Sequence, residues 1–356
     1  MEHREVGGII CSAYTDEDLQ DDKKTISEIA ENTDNTWQPE RPPEETIENT
    51  LQGKVAEKMF EEYINTEFSE HLEVMAYDLI RCDHNEKHAP FDFLIWEKDK
   101  SDIFAVVQSI QSDIRASYGR FVKISEATRI LCKREKVKIV EVKSTKIANR
   151  HKQRGFSNDY SDDVSVTGLS DYIVKNDDFL CYPLLKRKEA REDYTVVDYC
   201  IEYQQKNPQF ADLHGKILLE RVLKDECRKQ LCDIFVRVYV DEIYKRGLAL
   251  GWITKEQMYS GDVKLKRMKQ EGKSEQALYW AKRLTNLRKM EDVEDAVISS
   301  LEVFASPYTK TSYYHKSKNC SFLDGIRDEE IVKFKCEEDA IAKGRYTCRC
   351  KKCFND

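Results

Sequence analysis

The chain has 356 residues, of which 40% are hydrophobic, and a formal net charge of −8. A chain of this length can bury a substantial core, and we expect two or three domains. No run approaches the roughly 18 apolar residues of a membrane span, and residues 1–5 lack the apolar segment of a secretory signal. We therefore expect a cytoplasmic protein without a membrane partner. The twelve cysteines lack the regular framework of a small secreted fold, which favours reduced thiols and metal binding over disulfides.

The acidity is concentrated near the start of the sequence. Residues 1–50 carry fourteen Asp and Glu against four Lys and Arg, which leaves a balance of +2 for residues 51–356. Three prolines stand among acids between residues 37 and 45, a composition typical of a linker. We expect residues 1–44 to form a solvated tether, and the alternative is a DNA-mimicking strip that covers a functional cleft.

An amphipathic helix is predicted over residues 53–64. Glu57 lies at the margin of its apolar stripe, where it can remain near solvent while the helix packs on a core. The stripe has the three-to-four spacing of a core-facing helix and consists of Val55, Ala56, Met59, Phe60, Tyr63 and Ile64.

Two apolar strands with charged residues in them follow. Residues 89–96 hold one acid, Asp92, and residues 137–144 hold Glu141 and Lys143. Residues two apart on a strand point to the same face, so Glu141 and Lys143 are expected side by side. Burying both charges is costly unless they pair with each other, a metal or a ligand, and that cost makes the pair a candidate active site. The alternative is an ordinary solvated charge pair.

The order of a helical Glu, a strand Asp and a strand Glu-x-Lys resembles the PD-(D/E)XK, or restriction-endonuclease-like, nuclease superfamily. The resemblance covers about residues 50–200. It implies an α/β fold with a mixed sheet flanked by helices. It also implies that Asp92 and Glu141 bind Mg2+ or Mn2+, that Lys143 is the catalytic lysine, and that Glu57 is the helix acid. A homodimer is a further expectation from the resemblance alone.

The chemistry agrees with these residue types. Magnesium prefers oxygen ligands and keeps several waters, so two or three carboxylates and a carbonyl can hold it beside a phosphate. The bound metal acidifies a water and neutralises the leaving oxygen, and a lysine can stabilise developing charge. However, 48 residues separate Asp92 from Glu141, whereas many members join these strands by a tight hairpin. Residues 101–136 are therefore interpreted as an insertion that includes a helix over residues 113–134.

Residues 45–210 are assigned to the nuclease-like domain and residues 211–305 to a helical region. Within the first, residues 171–174 and 179–184 are predicted strands, and residues 196–203 fit either a strand or a helix. In the second, apolar residues at helical spacing extend from Leu213 to Arg288, interrupted around residues 247–254. These helices could form plain core, a dimer surface, a DNA-binding lobe or a spacer.

Residues 306–356 contain five of the twelve cysteines. A His-x4-Cys pair is followed by Cys-x-x-Cys, and together they can supply a tetrahedral Cys3His zinc site. Spacing leaves open whether Cys348 or Cys350 is the third cysteine, and Cys336 is interpreted as a buried thiol. The candidate ligands are His315, Cys320, Cys348, Cys350 and Cys353.

This region resembles the small Ada-like metal-binding module. The resemblance includes Leu323, three residues after Cys320, and an acidic helix that ends at Gly344. Such modules contact DNA or act as structural staples. The basic and aromatic residues here fit nucleic-acid contact and an ordinary solvated face equally well.

Two functions remain from the sequence. The first is a magnesium-dependent deoxyribonuclease, more an endonuclease than an exonuclease, that serves restriction or antiviral defence and binds DNA with help from the zinc module. The second is a catalytically inactive nuclease-like scaffold that binds DNA or protein through that module. Three acids together with one lysine favour the enzyme.

Overall fold

The computed structural model describes residues 1–20, 43–83, 87–147, 162–185, 194–243, 245–269, 276–298, 303–308, 312–334 and 337–354. These residues form a mixed α/β structure. The pattern of contacts divides the chain into two compact units. The first comprises residues 1–30, 40–60 and 141–293, and the second comprises residues 31–39, 61–140 and 294–356. None of the helices in the described ranges is both long enough and apolar enough to cross a membrane.

The strands and helices are numbered in chain order. The strands are β1 (Glu2–Val6), β2 (Ile9–Ala13), β3 (Leu72–Ala76), β4 (Phe93–Glu97), β5 (Lys138–Lys146), β6 (Asp178–Leu185), β7 (Ile234–Asp241), β8 (Arg246–Thr254), β9 (Lys264–Lys269), β10 (Gln276–Arg283), β11 (Val303–Ala305), β12 (Tyr313–Tyr314), β13 (Val332–Phe334) and β14 (Cys348–Arg349). The helices are α1 (Pro43–Glu67), α2 (Tyr77–Ile80), α3 (Ile103–Ala116), α4 (Glu126–Arg134), α5 (Asp163–Asn176), α6 (Val196–Lys206), α7 (Gly215–Lys229), α8 (Lys255–Met258), α9 (Val293–Ile298), α10 (Glu337–Ala342) and α11 (Lys351–Phe354).

In the first unit the hydrogen-bonded strand order is β1-β2-β8-β7-β5, where β5 contributes its residues from Glu141 onward. Strands β2 and β7 both pair with β8 in antiparallel fashion. A second sheet has the order β6-β10-β9. Every residue of β7 is buried, so this strand lies at the centre of the unit's core.

Residues 1–13 differ from the predicted tether, because they form the hairpin of β1 and β2. Val6 pairs with Ile9 across a two-residue turn of Gly7 and Gly8, which have φ values of 61° and 87°. Positive φ at both central residues is typical of a hairpin turn that matches strand twist, and Gly-Gly supplies it. The prediction of a tether rests on the acidic composition of residues 1–44, and most of those acids follow the hairpin. Of the linker predicted between residues 37 and 45, residues 37–42 lie outside the described residues, and residues 43–45 belong to α1 rather than to a linker.

The helical region predicted over residues 211–305 is corrected to a mixed region. Helix α7 and the short helices α8 and α9 are present, but β7, β8, β9 and β10 lie between them. The apolar run of β7 is buried on both faces and therefore lacks the alternation that identifies a half-exposed strand. Residues 171–174, predicted as a strand, belong to α5, whereas residues 179–184 do lie in β6.

In the second unit the strand order is β5-β4-β3, with β5 contributing its residues up to Val140. The insertion between β4 and β5 folds as two helices rather than one, α3 and α4. Asp102 caps the start of α3 through a hydrogen bond from the Ala105 N–H, 3.1 Å long. Ser125 caps the start of α4 in the same way through the Thr128 N–H. The Ser125 cap fixes the point at which the loop between the two helices ends.

The apolar stripe predicted for the helix at residues 53–64 is confirmed in α1. All six of its residues are at most 5% exposed: Val55, Ala56, Met59, Phe60, Tyr63 and Ile64. Helix α1 begins ten residues before the predicted start, at Pro43, a position where proline's fixed φ suits the first helical turn.

Replacing Gly251 by alanine is expected to lower the free energy of unfolding by at least about 3 kcal/mol, because strain and a steric clash add. Gly251 lies in β8 with a φ of 140°, and a Cβ there would stand 2.2 Å from the Arg288 carbonyl oxygen. Chemical denaturation of the purified variants measures the loss. The matched control is Gly53→Ala in α1, where no atom lies within 4 Å of the added Cβ. This control is expected to gain up to about 1 kcal/mol, and equal stabilities of the two variants would contradict the prediction.

Candidate active site and metal centre

Strand β5 places Glu141 and Lys143 side by side as an ion pair. The Lys143 Nζ donates to Glu141 Oε1, and the glutamate side chain is 12% exposed against 32% for the lysine. Strand alternation puts residues two apart on one face, so the sequence prediction of this pair is confirmed.

A thiol completes the surroundings of Glu141. The Cys232 Sγ, which belongs to a fully buried residue, donates to Glu141 Oε2 at 3.5 Å. Both carboxylate oxygens therefore have a partner in the protein. Sequence reasoning missed Cys232, because the contact joins positions 91 residues apart and an isolated cysteine beside an apolar strand carries no signal of its own.

Helix α1 lies beside β5 in the first unit. The Gln52 Nε2 donates to the Ser144 Oγ at 3.0 Å. Glu57, one turn further along the helix, is half-buried and accepts a 2.6 Å hydrogen bond from the Lys54 Nζ. The predicted helix acid is thus on the expected helix, and it is held by a lysine three residues before it.

Asp92 lies one residue before β4 rather than inside the strand. Its N–H donates to the Val140 carbonyl at 3.1 Å, and its own carbonyl accepts from the Tyr77 N–H at 2.8 Å. The backbone of Asp92 is therefore fixed against the residue that precedes Glu141, although 48 residues separate Asp92 from Glu141 in the chain.

The second constellation lies in residues 303–354, which we call the C-terminal module. Strand β11 pairs with β13, and β12 pairs in parallel with β14. Glu337 links these parts, because its Oε2 accepts from the Tyr314 hydroxyl at 2.9 Å and from the Arg349 Nε at 2.8 Å. Burial, followed by this carboxylate, raises the pKa of Tyr314 to about 12. The core consists of Val303, Ala305, Tyr314, Phe334, Ala340 and Tyr346.

Four side chains of the module converge, with one candidate ligand atom from each lying within 4.8 Å of all the others: His315, Cys320, Cys350 and Cys353. Within the part of the chain that the structure describes, no other three His, Cys, Asp or Glu side chains come close enough together to hold a metal ion. The Cys320 and Cys350 sulfurs are 3.8 Å apart. A tetrahedral zinc ion with bonds of about 2.3 Å to sulfur requires about the same separation.

The structure selects Cys350 over Cys348. The Cys350 N–H donates to the Tyr314 carbonyl at 2.9 Å, which places this cysteine next to His315 across the parallel pair of β12 and β14. Cys350 is 3% exposed, whereas Cys348 is exposed and its sulfur contacts the Thr347 hydroxyl. Cys336 lies outside the described residues.

Burial and neighbouring groups shift the pKa values of three candidate ligands, and the two cysteines shift in opposite directions. Burial lowers the pKa of His315, which keeps its imidazole neutral as a ligand must be. Burial works against the Cys350 thiolate, but N–H donors from Cys353 and Lys352 outweigh it and lower the pKa of that thiol. Burial, reinforced by the neighbouring sulfurs, raises the pKa of Cys353 to about 11. One imidazole nitrogen and three sulfurs form a donor set that could hold a zinc ion.

Other features of the predicted module are also present. Leu323 is 2% exposed, and its N–H donates to the Cys320 carbonyl at 2.7 Å. The acidic helix is α10, and Gly344 follows it with a φ of 69°, a conformation in which glycine commonly ends helices.

Searches of protein-family models, curated proteins and solved structures found no match to this chain. The arguments about function therefore rest on the geometry described above and on the motifs.

Proposed function

We propose that this protein is a metal-dependent DNA nuclease that hydrolyses phosphodiester bonds. The observation that carries the proposal is the Glu141–Lys143 ion pair on a largely buried strand. A carboxylate and an ammonium removed from most of the solvent are costly unless they serve a ligand or each other, and such groups cluster at functional sites.

In the proposed mechanism Asp92 and Glu141 hold Mg2+ or Mn2+ through oxygen atoms, the ligand type that hard cations prefer. When bound, the metal supplies an acidified water and relief of negative charge at the phosphate. Lys143 stabilises the negative charge that develops on the phosphate oxygens, and its bond to Glu141 orients the ammonium before substrate binds. Glu57 on α1 is the third acid of the proposed site and corresponds to the helix acid of the superfamily.

A restriction-endonuclease-like fold is part of the same proposal. It is supported by the order of α1 with Glu57, β4 preceded by Asp92, and β5 with Glu141 and Lys143. Restriction or defence against foreign DNA is the role that the resemblance implies. A homodimer would place two such sites where both strands of a duplex can be cut.

The C-terminal module is proposed to bind zinc as a structural staple and to contribute DNA contacts. Its core is small, and a segment of about 50 residues rarely supplies enough buried apolar area to fold without a metal or disulfide. A tetrahedral site with four protein ligands leaves no open position for substrate, which favours the structural role.

One observation favours the inactive scaffold as the second candidate. Both oxygens of Glu141 already have partners, Lys143 and Cys232, and a purely structural pair would look the same. In that case Glu141 and Lys143 stabilise the strand, and the zinc module alone binds DNA or protein.

A substrate panel is expected to separate the two candidates. The purified protein is incubated with closed circular plasmid, linear duplex, single-stranded DNA and RNA, each with Mg2+, Mn2+ or EDTA. The nuclease proposal expects cleavage of DNA with either metal and none with EDTA, and nicking of the closed circle identifies an endonuclease. If the protein cuts none of the substrates in the panel, the result favours the scaffold.

A further inference from the structure

We propose that the loop between α3 and α4 binds single-stranded DNA. The loop, residues 117–123, lies in the insertion that separates Asp92 from Glu141 in the chain. The inference rests on the proposed nuclease function and deepens it, because it names the form of the substrate, a DNA segment whose bases are unstacked.

Two aromatic rings of the loop face solvent. Tyr118 is 98% exposed and Phe121 is 55% exposed. Removing an aromatic side chain from water is favourable, so an exposed ring retains that gain for a binding partner. The faces of nucleic-acid bases match such rings, and base stacking on aromatic side chains tolerates any base sequence.

Exposed cations flank these rings along the chain. Arg115, Arg120 and Lys123 are all exposed, and residues 114–125 contain no Asp or Glu. Positive charge that alternates with aromatic rings is the arrangement that follows a phosphate backbone while stacking its bases. The charge is local, because the chain as a whole is acidic.

The loop is held in a defined shape. The His88 N–H donates to the Arg120 carbonyl at 2.6 Å, and the His88 ring stacks on Phe121 with centroids 4.7 Å apart. The Lys123 N–H donates to the Ser117 Oγ at 2.9 Å, and Gly119 turns the chain with a φ of 77°. A loop that is ordered before binding loses less conformational entropy when it binds.

The segment that contacts the loop through His88 also contains Asp92. His88 precedes Asp92 by four residues, so their Cα atoms are at most about 14 Å apart even in an extended chain. A strand that stacks on Phe121 therefore lies within a few nucleotides of the proposed metal ligand. A duplex hides its base faces within its own stack, so it could use the cations but not the rings.

The test measures binding without added Mg2+ or Mn2+, so that the proposed metal-dependent cleavage does not proceed and the proposed zinc of the C-terminal module is retained. Fluorescence anisotropy of the full-length protein with a labelled single-stranded oligonucleotide gives the affinity, and the annealed duplex of the same sequence is measured in parallel. The double substitution Tyr118→Ala with Phe121→Ala is expected to weaken single-strand binding at least about fivefold and to leave duplex binding unchanged.

Two controls define the expectation. Phe104→Ala removes an equally apolar ring that is 68% exposed on α3, and it is expected to leave binding unchanged. Replacing Arg115, Arg120 and Lys123 by glutamine is expected to reduce the salt dependence of single-strand binding, by about 0.7 in the logarithmic slope for each lost phosphate contact. Equal losses for single strand and duplex, no loss, or an equal loss in Phe104→Ala would each overturn the proposal.

The outcome is independent of cleavage. A protein that binds single strands through the loop but cuts nothing contradicts the nuclease function and supports the loop as a binding platform. A protein that cuts DNA but binds single strands equally well with and without the two rings retains its nuclease function and contradicts the platform.

Discussion

Zinc is expected in the purified protein at about one ion per chain, and its removal by a strong chelator is expected to unfold the C-terminal module. Structural zinc sites contribute about 10–16 kcal/mol in small peptides, far more than the module's small core can replace. Hydrogen exchange followed by mass spectrometry measures the effect. Peptides from residues 303–354 should lose protection on chelation, whereas peptides from β7 and β8 should keep it.

Substitution of single cysteines tests which of them bind the zinc ion. Cys350→Ser is expected to lose zinc and module protection, because it removes a ligand whose sulfur lies 3.8 Å from that of Cys320. Cys348→Ser, two residues away and exposed, is the matched control and should retain both. Metal analysis that shows zinc retained in Cys350→Ser but lost in Cys348→Ser would reverse the ligand assignment. Absence of metal from protein purified without chelator would argue against a zinc centre.

Lys143→Ala is expected to reduce metal-dependent DNA cleavage about 100-fold or more, the usual cost of removing a group that stabilises developing charge. Asp92→Ala is expected to have at least the same effect, because it removes a proposed metal ligand. Initial rates of plasmid nicking with Mg2+ measure both. The matched control is Lys146→Ala, which removes an exposed lysine paired with Glu242 at the end of the same strand and should leave the rate unchanged.

Folding must be measured in the same variants. Lys143 is 32% exposed, so its removal should cost less than the roughly 3–5 kcal/mol found when fully buried ion pairs are broken. A folded Lys143→Ala protein without activity supports the nuclease. Full activity in this purified variant would falsify the assignment of Lys143, and a loss of stability in a protein with no activity to begin with would favour the scaffold.

The parts that the sequence predicted depend on local pattern. The pair on β5 follows from the two-residue period of a strand, and the buried face of α1 follows from helical periodicity. His315 and Cys320 lie five residues apart, and Cys350 and Cys353 three, so each half of the metal centre is visible along the chain. The choice between Cys348 and Cys350 required the register of β12 against β14, which is a contact between distant segments.

The parts that it did not predict depend on burial from both sides or on distant partners. Strand β7 carries apolar residues on both faces, and such a run fits a buried helix as well as a buried strand. The role of Cys232 as a partner of Glu141 depends on a contact between β5 and the residues just before β7, which are distant in the chain. The Gly7–Gly8 turn is a local signal for a hairpin, but the acidic composition of residues 1–44 as a whole predicts a solvated tether.

The pairing of β2 with β8 has a consequence for how the chain is made. Ile10 pairs with Ala249, a partner 239 positions later in the chain. At a synthesis rate of about 5–20 residues per second, the hairpin is complete about 12–48 seconds before its partner strand exists. Throughout that interval one edge of β2 has unpaired backbone groups, and the side chains of Ile10, Cys11 and Tyr14 are without the core that later buries them. The hairpin therefore keeps an open strand edge and unburied apolar side chains until β8 has been synthesised.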